Sequence, residues 1–298
     1  MLRIGLDIGG TKTELIALDA DRRERLRQRV PTPHGGYDDA VDGLAALVRE
    51  AEQALGERAS VGVGVPGLVS AAGFVRNAFA TPYNERPLQA DLERRLAREV
   101  RLANDANCFA LSEALDGAGR GSRVVFGAIF GTGVGGGVVV EGRVIEGANR
   151  STGEWGHNPL PWMTPDEYPG PSCYCGRAGC IERFASGPAL AADHERANGV
   201  RLKADEIVAQ AAAGDAACAQ SLARLESRIA RALAHVINLL DPDVVVMGGG
   251  LSRVGRLYEN VPRLWGAHTY TASVATRLVA PAHGDASGVR GAAWLWGS

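Results

Sequence analysis

The chain has 298 residues, 46% of them hydrophobic, with 32 Lys and Arg against 34 Asp and Glu and a formal net charge of -2. That balance argues against a nucleic-acid surface, and the absence of any run of 18 apolar residues argues against a membrane span. An N-terminus without a basic and apolar leader, together with an odd count of five cysteines, leads us to expect a cytoplasmic protein.

The apolar segment Leu2–Ile8 reads as a strand. Gly9-Gly10-Thr11-Lys12 breaks it and Thr13–Leu18 resumes it, so a hairpin with a glycine-rich tip is expected. Tyr37–Leu55 places Val41, Leu44, Leu47, Val48, Ala51 and Leu55 on one face of a helix. Val61–Val65 is a buried strand ending at Pro66-Gly67, and Leu88–Ala97 is a short helix. Val100–Ala103 is a strand, and Asn104-Asp105 opens a helix that runs to about Leu115, with the aspartate at its N-terminus. Asp116–Ser122 is a glycine-rich linker. After it the plan restarts: strand Val124–Phe130, tip Gly131-Thr132-Gly133, strand Val134–Val140. This weak repeat suggests two similar α/β halves. Ala216–Leu240 is the longest helix, Val244–Met247 a strand capped by Gly248-Gly249-Gly250, and Ser287–Trp296 a closing helix packed on the first half.

Three cysteines, Cys173, Cys175 and Cys180, lie within eight residues, and His157 is sixteen positions upstream. Three thiolates and one imidazole complete a closed tetrahedral Zn²⁺ shell, which is normally structural. A disulfide plus a spare thiol is the competing reading, disfavoured because nothing else looks secreted. Such a staple would fix the loops that carry Glu154 and Glu182. Cys108 and Cys218 read as buried thiols. The two glycine-rich tips suit phosphate oxygens, with Thr11 and Thr132 as hydroxyl donors and Lys12 as a charge, although each alone is an ordinary hairpin turn and neither fits a P-loop or Rossmann pattern. Asp7 could hold Mg²⁺ directly or through water, or simply brace the turn. Asp105 could accept a proton from a substrate hydroxyl, or serve only as a helix cap.

Asp7-Ile8-Gly9-Gly10-Thr11-Lys12, Asn104-Asp105-Ala106-Asn107, Gly131–Gly137, Gly153-Glu154-Trp155-Gly156-His157 and the Cys173–Glu182 run together resemble the ROK (repressor, ORF, kinase) family, over essentially the whole chain. The resemblance implies a two-domain α/β fold of the sugar kinase/Hsp70/actin (ribonuclease H-like) type with an interdomain cleft. The expected domains are 1–118, completed by the helix at 287–298, and 119–286. It implies ATP and Mg²⁺ at Asp7, Gly9, Gly10, Thr11, Lys12, Gly131, Thr132, Gly133 and Gly135, with Gly248, Gly249 and Gly250 beside the adenosine. It implies Asp105 as general base, and Gly67, Asn77, Asn104, Asp105, Glu154, His157 and Glu182 around a hexose. It implies structural Zn²⁺ on His157, Cys173, Cys175 and Cys180. A homodimer is expected. The family also contains repressors, but here the strand begins at residue 2, so no DNA-binding domain is expected. The run Ala148–Met163 looks most like bacterial fructokinases. The expected activity is therefore ATP-dependent phosphorylation of fructose at its 6-hydroxyl, with mannose next and Trp155 as a rigid wall that excludes a 2-acetamido group. N-acetylglucosamine kinase and glucokinase are the alternatives within the family, and a sugar sensor without turnover is the alternative outside enzymes.

Overall fold

The computed structural model describes residues 2–32, 35–79 and 81–297. In chain order the elements are β1 Arg3–Ile8, β2 Lys12–Leu18, β3 Glu24–Pro31, α1 Tyr37–Leu55, β4 Ser60–Val65, β5 Leu68–Val69, β6 Val75–Arg76, α2 Leu88–Leu96, β7 Val100–Asn104 and α3 Asp105–Leu115. They continue with β8 Val124–Phe130, β9 Val134–Val140, β10 Arg143–Val144, α4 Glu182–Ala185, α5 Gly187–Asn198, α6 Ala204–Ala212 and α7 Ala216–Leu240. The last are β11 Val244–Gly248, α8 Arg256–Trp265, β12 Arg277–Val279 and α9 Ser287–Ala293. Among the described residues, no helix is long and apolar enough to cross a membrane.

One five-stranded sheet has the order β3-β2-β1-β4-β7 and a second has the order β10-β9-β8-β11-β12. In the first sheet, β1 pairs antiparallel with β2, placing Asp7 opposite Glu14, and parallel with β4. Sequence reasoning did not anticipate β3. Its residues alternate between exposed and half-buried, and it carries Glu24, Arg25, Arg27 and Arg29. Charge of this kind suits an edge strand, which must resist pairing with another chain. It is held laterally by ion pairs from Arg27 and Arg29 to Glu14.

By compactness the chain divides into two units. The first runs to Gly121 and includes Gly137–Thr152 and the chain from Ala282; the second is Ser122–Gly136 with Gly153–Pro281. The core of the first unit is built from Ile4, Leu6, Ile8, Leu15, Val61, Val63 and Val100 on strands, against Val41, Leu44, Val48, Leu88 and Leu92 on helices. Within that unit, the buried Glu113 on α3 accepts hydrogen bonds from Ser287 Oγ at 2.6 Å and from the Ala282 N–H at 3.0 Å, and so anchors the start of α9. The closing helix is shorter than expected: α9 ends at Ala293 and a 3-10 turn, Trp294–Trp296, follows. In the second unit, Val244–Met247 is fully buried, and α7 turns Leu222, Leu225, Ile229 and Leu233 inward as its spacing requires. Leu240, expected on that face, is 39% exposed at the C-terminal end of the helix.

Candidate active site

The first unit carries a carboxylate pair at the ends of β1 and β7. Asn104, not Asp105, caps α3. Its side-chain oxygen accepts from the N–H groups of Ala106 and Asn107 at 2.9 and 3.2 Å. Asp105 is therefore the first helical residue, at the helix N-terminus as expected, and the alternative role of helix cap falls to Asn104. Its Oδ1 accepts from the Ala106 N–H at 2.8 Å and from Asn104 Nδ2 at 3.0 Å. Asn104 Nδ2 also donates to the Gly67 carbonyl at 2.8 Å. Gly67 in turn backs onto residues 76–78, so Asn77, which is exposed with φ +60°, belongs to the same edge. Asp7 is mostly buried, and its carboxyl is pushed up to about 7, first by burial and then by the charges of Asp105 and Glu14, with Arg29 opposing. The tip beyond Asp7 closes through the Gly9 N–H on the Lys12 carbonyl at 2.9 Å, and Thr32 Oγ1 donates to the Gly9 carbonyl at 2.7 Å. Thr11 and Lys12 are exposed there.

The second unit holds the other tip. The Gly131 N–H bonds the Gly133 carbonyl at 2.9 Å, and the Gly187 N–H bonds the Gly131 carbonyl at 2.9 Å, which sets the tip against the start of α5. A cavity of about 690 Å³ opens beside it, lined by Gly131, Thr132, Gly187, Lys203, Gly250 and Arg253 among others. Gly250 was expected here. The contributions of α5 and α6 were not, although Ser186-Gly187-Pro188 carries the signature of a helix start, and Ser186 Oγ does accept from the Ala189 N–H. Gly248 is the buried last residue of β11, with Gly249 between it and the cavity wall.

Glu182, Glu154 and His157 also lie in this unit. Glu182 Oε2 accepts from the Val134 N–H at 3.0 Å, which fixes the carboxylate plane. A Cβ at position 133 would lie 2.7 Å from that oxygen, so a side chain there would push the Glu182 carboxylate aside. Gly135 follows on β9, and its carbonyl accepts from Trp155 Nε1 at 2.7 Å. Glu154 is pushed up by burial and by the neighbouring charge of Glu182, with His157 opposing. Trp155 departs from expectation. It is only 8% exposed and packs edge-on against Phe126 and Phe130, at 5.3 and 5.7 Å between ring centres. Its indole is a core element tied by its N–H, so it cannot stand as a wall against a sugar.

The ligand atoms of His157, Cys173, Cys175 and Cys180 all lie within 4.8 Å of one another. Cys175 Sγ and Cys180 Sγ are 3.6 Å apart, and Cys173 Sγ is 3.6 Å from His157 Nδ1. A tetrahedral shell with Zn–S of about 2.3 Å requires sulfurs about 3.8 Å apart, so this donor set fits zinc. None of the five cysteines is in a disulfide. The other imidazole nitrogen, His157 Nε2, lies 3.0 Å from the Tyr174 hydroxyl. That phenol is pushed up to about 12 by desolvation first, with the negative charges of Glu182 and Glu154 among the further causes. Sequence reasoning passed over Tyr174; the signal was an aromatic side chain between two ligands.

The ROK family pattern matches residues 3–298. The chain belongs to the ROK family. It is 42% identical over 300 residues to an N-acetyl-D-glucosamine kinase of Salmonella gallinarum, covering 98% of each chain. A protein of the same description from Yersinia enterocolitica is 41% identical over 296 residues, again covering 98% of each. Among solved structures, ROK hexokinase from Thermus thermophilus superposes with a TM-score of 0.88 at 32% identity, covering 98% of this chain and 97% of that one. A ROK family glucokinase from Streptomyces griseus, in complex with glucose and AMPPNP, gives 0.80 at 29% identity, covering 99% of each. The fold of this ROK protein is thus the mixed α/β, actin-like fold expected from its motifs.

Proposed function

We propose that this ROK protein is an ATP-dependent hexose kinase that phosphorylates the 6-hydroxyl of N-acetyl-D-glucosamine, with glucose as the next acceptor. The observation that carries the reading is the end-to-end identity with N-acetyl-D-glucosamine kinases. Fructose, favoured by the run Ala148–Met163, loses its physical argument because Trp155 is packed in the core. A 2-acetamido group therefore meets no indole wall.

The roles follow from the chemistry of the residues. Glu154, Glu182 and His157 bind the sugar, whose hydroxyls need fixed acceptors and donors. Asn104 holds Gly67 and Asp105 in one hydrogen-bonded group, and Asp105 takes the proton of the attacking hydroxyl. The tips at Gly9–Lys12 and Gly131–Gly135 bind phosphate oxygens, and the cavity bounded by Gly131, Gly187 and Gly250 takes the adenosine. Asp7 would hold Mg²⁺, which when bound neutralises charge on the phosphates. His157, Cys173, Cys175 and Cys180 would hold a structural Zn²⁺ that fixes both sugar loops.

The test is kcat/KM in a coupled assay with ATP-Mg²⁺ across N-acetylglucosamine, glucose, mannose and fructose. N-acetylglucosamine should lead. Fructose in first place would overturn the acceptor assignment. Sugar binding without turnover on any of the four would replace the kinase with a sensor.

A further inference from the structure

Tyr174 stands apart from its neighbours. Cys173 before it is buried, and Cys175 after it is half-buried, yet Tyr174 is 76% exposed. The backbone explains this. The Gly176 N–H bonds the Cys173 carbonyl at 3.1 Å, closing a four-residue turn, and Gly176 has φ +87°, which glycine adopts without cost. Tyr174 is the first corner of that turn and projects from it, while the cysteines on either side face the ligand cluster.

Its surroundings are specific. The Tyr174 hydroxyl is 3.0 Å from His157 Nε2, and its ring meets the imidazole edge-on, 5.1 Å between centres at 89°. The same hydroxyl lies in the field of Glu182 and Glu154. With Nδ1 of His157 on a metal, Nε2 would carry the ring proton and donate it to the Tyr174 oxygen. The phenolic O–H then remains available as a donor of its own. Tyr174 thus presents an open aromatic face and a free donor next to the side chains assigned above to the sugar.

We propose that Tyr174 is a specificity-determining contact for the hexose, stacking its ring on the apolar C–H face of the sugar and donating its hydroxyl hydrogen to a ring substituent. This rests on the hexose-kinase reading of the same site. The rival role is purely structural, with Tyr174 doing no more than orienting His157 on its metal.

Purified full-length protein, wild type, Tyr174→Phe and Tyr174→Ala, would be compared by steady-state kinetics and by calorimetric titration with N-acetylglucosamine and glucose. Tyr174→Ala should raise the KM for hexose on the order of 10- to 100-fold, in line with loss of one aromatic contact and one hydrogen bond, and change kcat by less than about fivefold. The KM for ATP, the zinc content and the unfolding temperature should stay at wild-type values. Tyr174→Phe keeps the ring, so its hexose KM should rise only about 2- to 10-fold. The ratio of kcat/KM values for the two sugars should change in both variants. A hexose KM within twofold of wild type in Tyr174→Ala overturns the proposal. So does parallel loss of zinc, thermal stability and ATP affinity, which identifies the structural role. If the wild type turns over no hexose, the kinase reading fails by itself; the calorimetric hexose affinities of the three proteins still decide the contact, with equal affinities overturning it.

Discussion

Replacing Glu167 by glutamine should destabilise the second unit by roughly 3–4 kcal/mol, and the loss should vanish in acid. Glu167 lies in the irregular stretch before the cysteines, and its side chain is 7% exposed. Arg228 Nε donates to it at 2.9 Å, and Arg231 reaches both of its oxygens at 2.7 and 2.8 Å. Both arginines stand on α7, and Arg231 Nη1 also donates to the Trp162 carbonyl at 2.7 Å. Burial by itself would raise the Glu167 carboxyl; hydrogen bonds from Arg231 and Arg228 outweigh it and hold the group at about 2, against an ordinary 4.5. At about 1.36 kcal/mol per pH unit, that difference is worth roughly 3 kcal/mol. Breaking a buried pair from one side costs about 3–5 kcal/mol, which agrees. The sign follows from the depressed value: the stabilisation is complete above pH 4.5 and is lost as pH falls toward 2. Urea unfolding of both proteins from pH 8 to pH 3 provides the assay. A gap of less than about 1 kcal/mol at pH 7, typical of an exposed pair, would refute the reasoning. A gap that stays unchanged at pH 3 would refute it equally, since by then the unfolded carboxyl, at 4.5, has taken up its proton while the native one, at about 2, is still ionised, and about half or more of the gap should be gone.

Asp105→Asn should bind hexose within a few-fold of wild type while turnover falls about 10²- to 10⁴-fold; a variant keeping more than about a tenth of the activity would move the general base elsewhere. Cys180→Ser should lose the near-stoichiometric zinc expected in the wild type, read by elemental analysis, and should weaken hexose binding more than ATP binding; wild-type protein without zinc but with intact thiols would count against the site. Asp7→Asn should become more stable relative to wild type as pH rises. The native carboxyl near 7 holds its proton where the unfolded one, at 3.8, has lost it, so wild-type stability falls between about pH 4 and pH 7 and levels off above. The span sets a ceiling of about 4 kcal/mol, and partial solvent access to Asp7 brings the expectation to about half of that in metal-free buffer. Denaturation curves that are parallel at pH 5 and pH 8 would contradict it.

What was legible in the sequence was whatever local chemistry dictated. Both strand–tip–strand units could be read because apolar strands meet glycine pairs at the turn, and α7 because its apolar positions keep helical spacing over 25 residues. The gathering of His157, Cys173, Cys175 and Cys180 was legible from spacing. β3 was not, because its inward face is broken, Leu26 and Val30 with Gln28 between them among arginines, and its partner Glu14 lies on another strand. That the helix opens at Asp105 was legible, but which of two neighbouring good caps serves it was not; only the backbone, turning helical at 105, decides for Asn104. Trp155 was misplaced for a related reason. Sequence order sets it beside Glu154, but direction in a 3-10 turn is set by which side chain finds a partner, and Phe126, Phe130 and the Gly135 carbonyl supply one.

The loops of the second unit that are proposed to bind the sugar pose a problem that their fixings answer. From residue 145 to 181 the chain has no strand or α-helix among the described residues, and irregular backbone is the least stable part of most folds. Yet neutral hydrogen bonds to sugar hydroxyls are each worth only about 0.5–1.5 kcal/mol net, so acceptors that must first be ordered would leave little for recognition. Here the ordering is done before any ligand arrives. The Glu167–Arg228–Arg231 group ties residues 161–167 to α7, and short antiparallel bridges join Pro159 to Cys180 and Ser172 to Ala178. The donor cluster gathers 157, 173, 175 and 180, and the Val134 N–H fixes Glu182. Each fixing acts on a different point of the same stretch. Removing one should therefore loosen a local segment and raise the hexose KM before it unfolds the unit. On the proposed function, discrimination among hexoses would fall to the groups these fixings hold, Glu154 and Tyr174 above all.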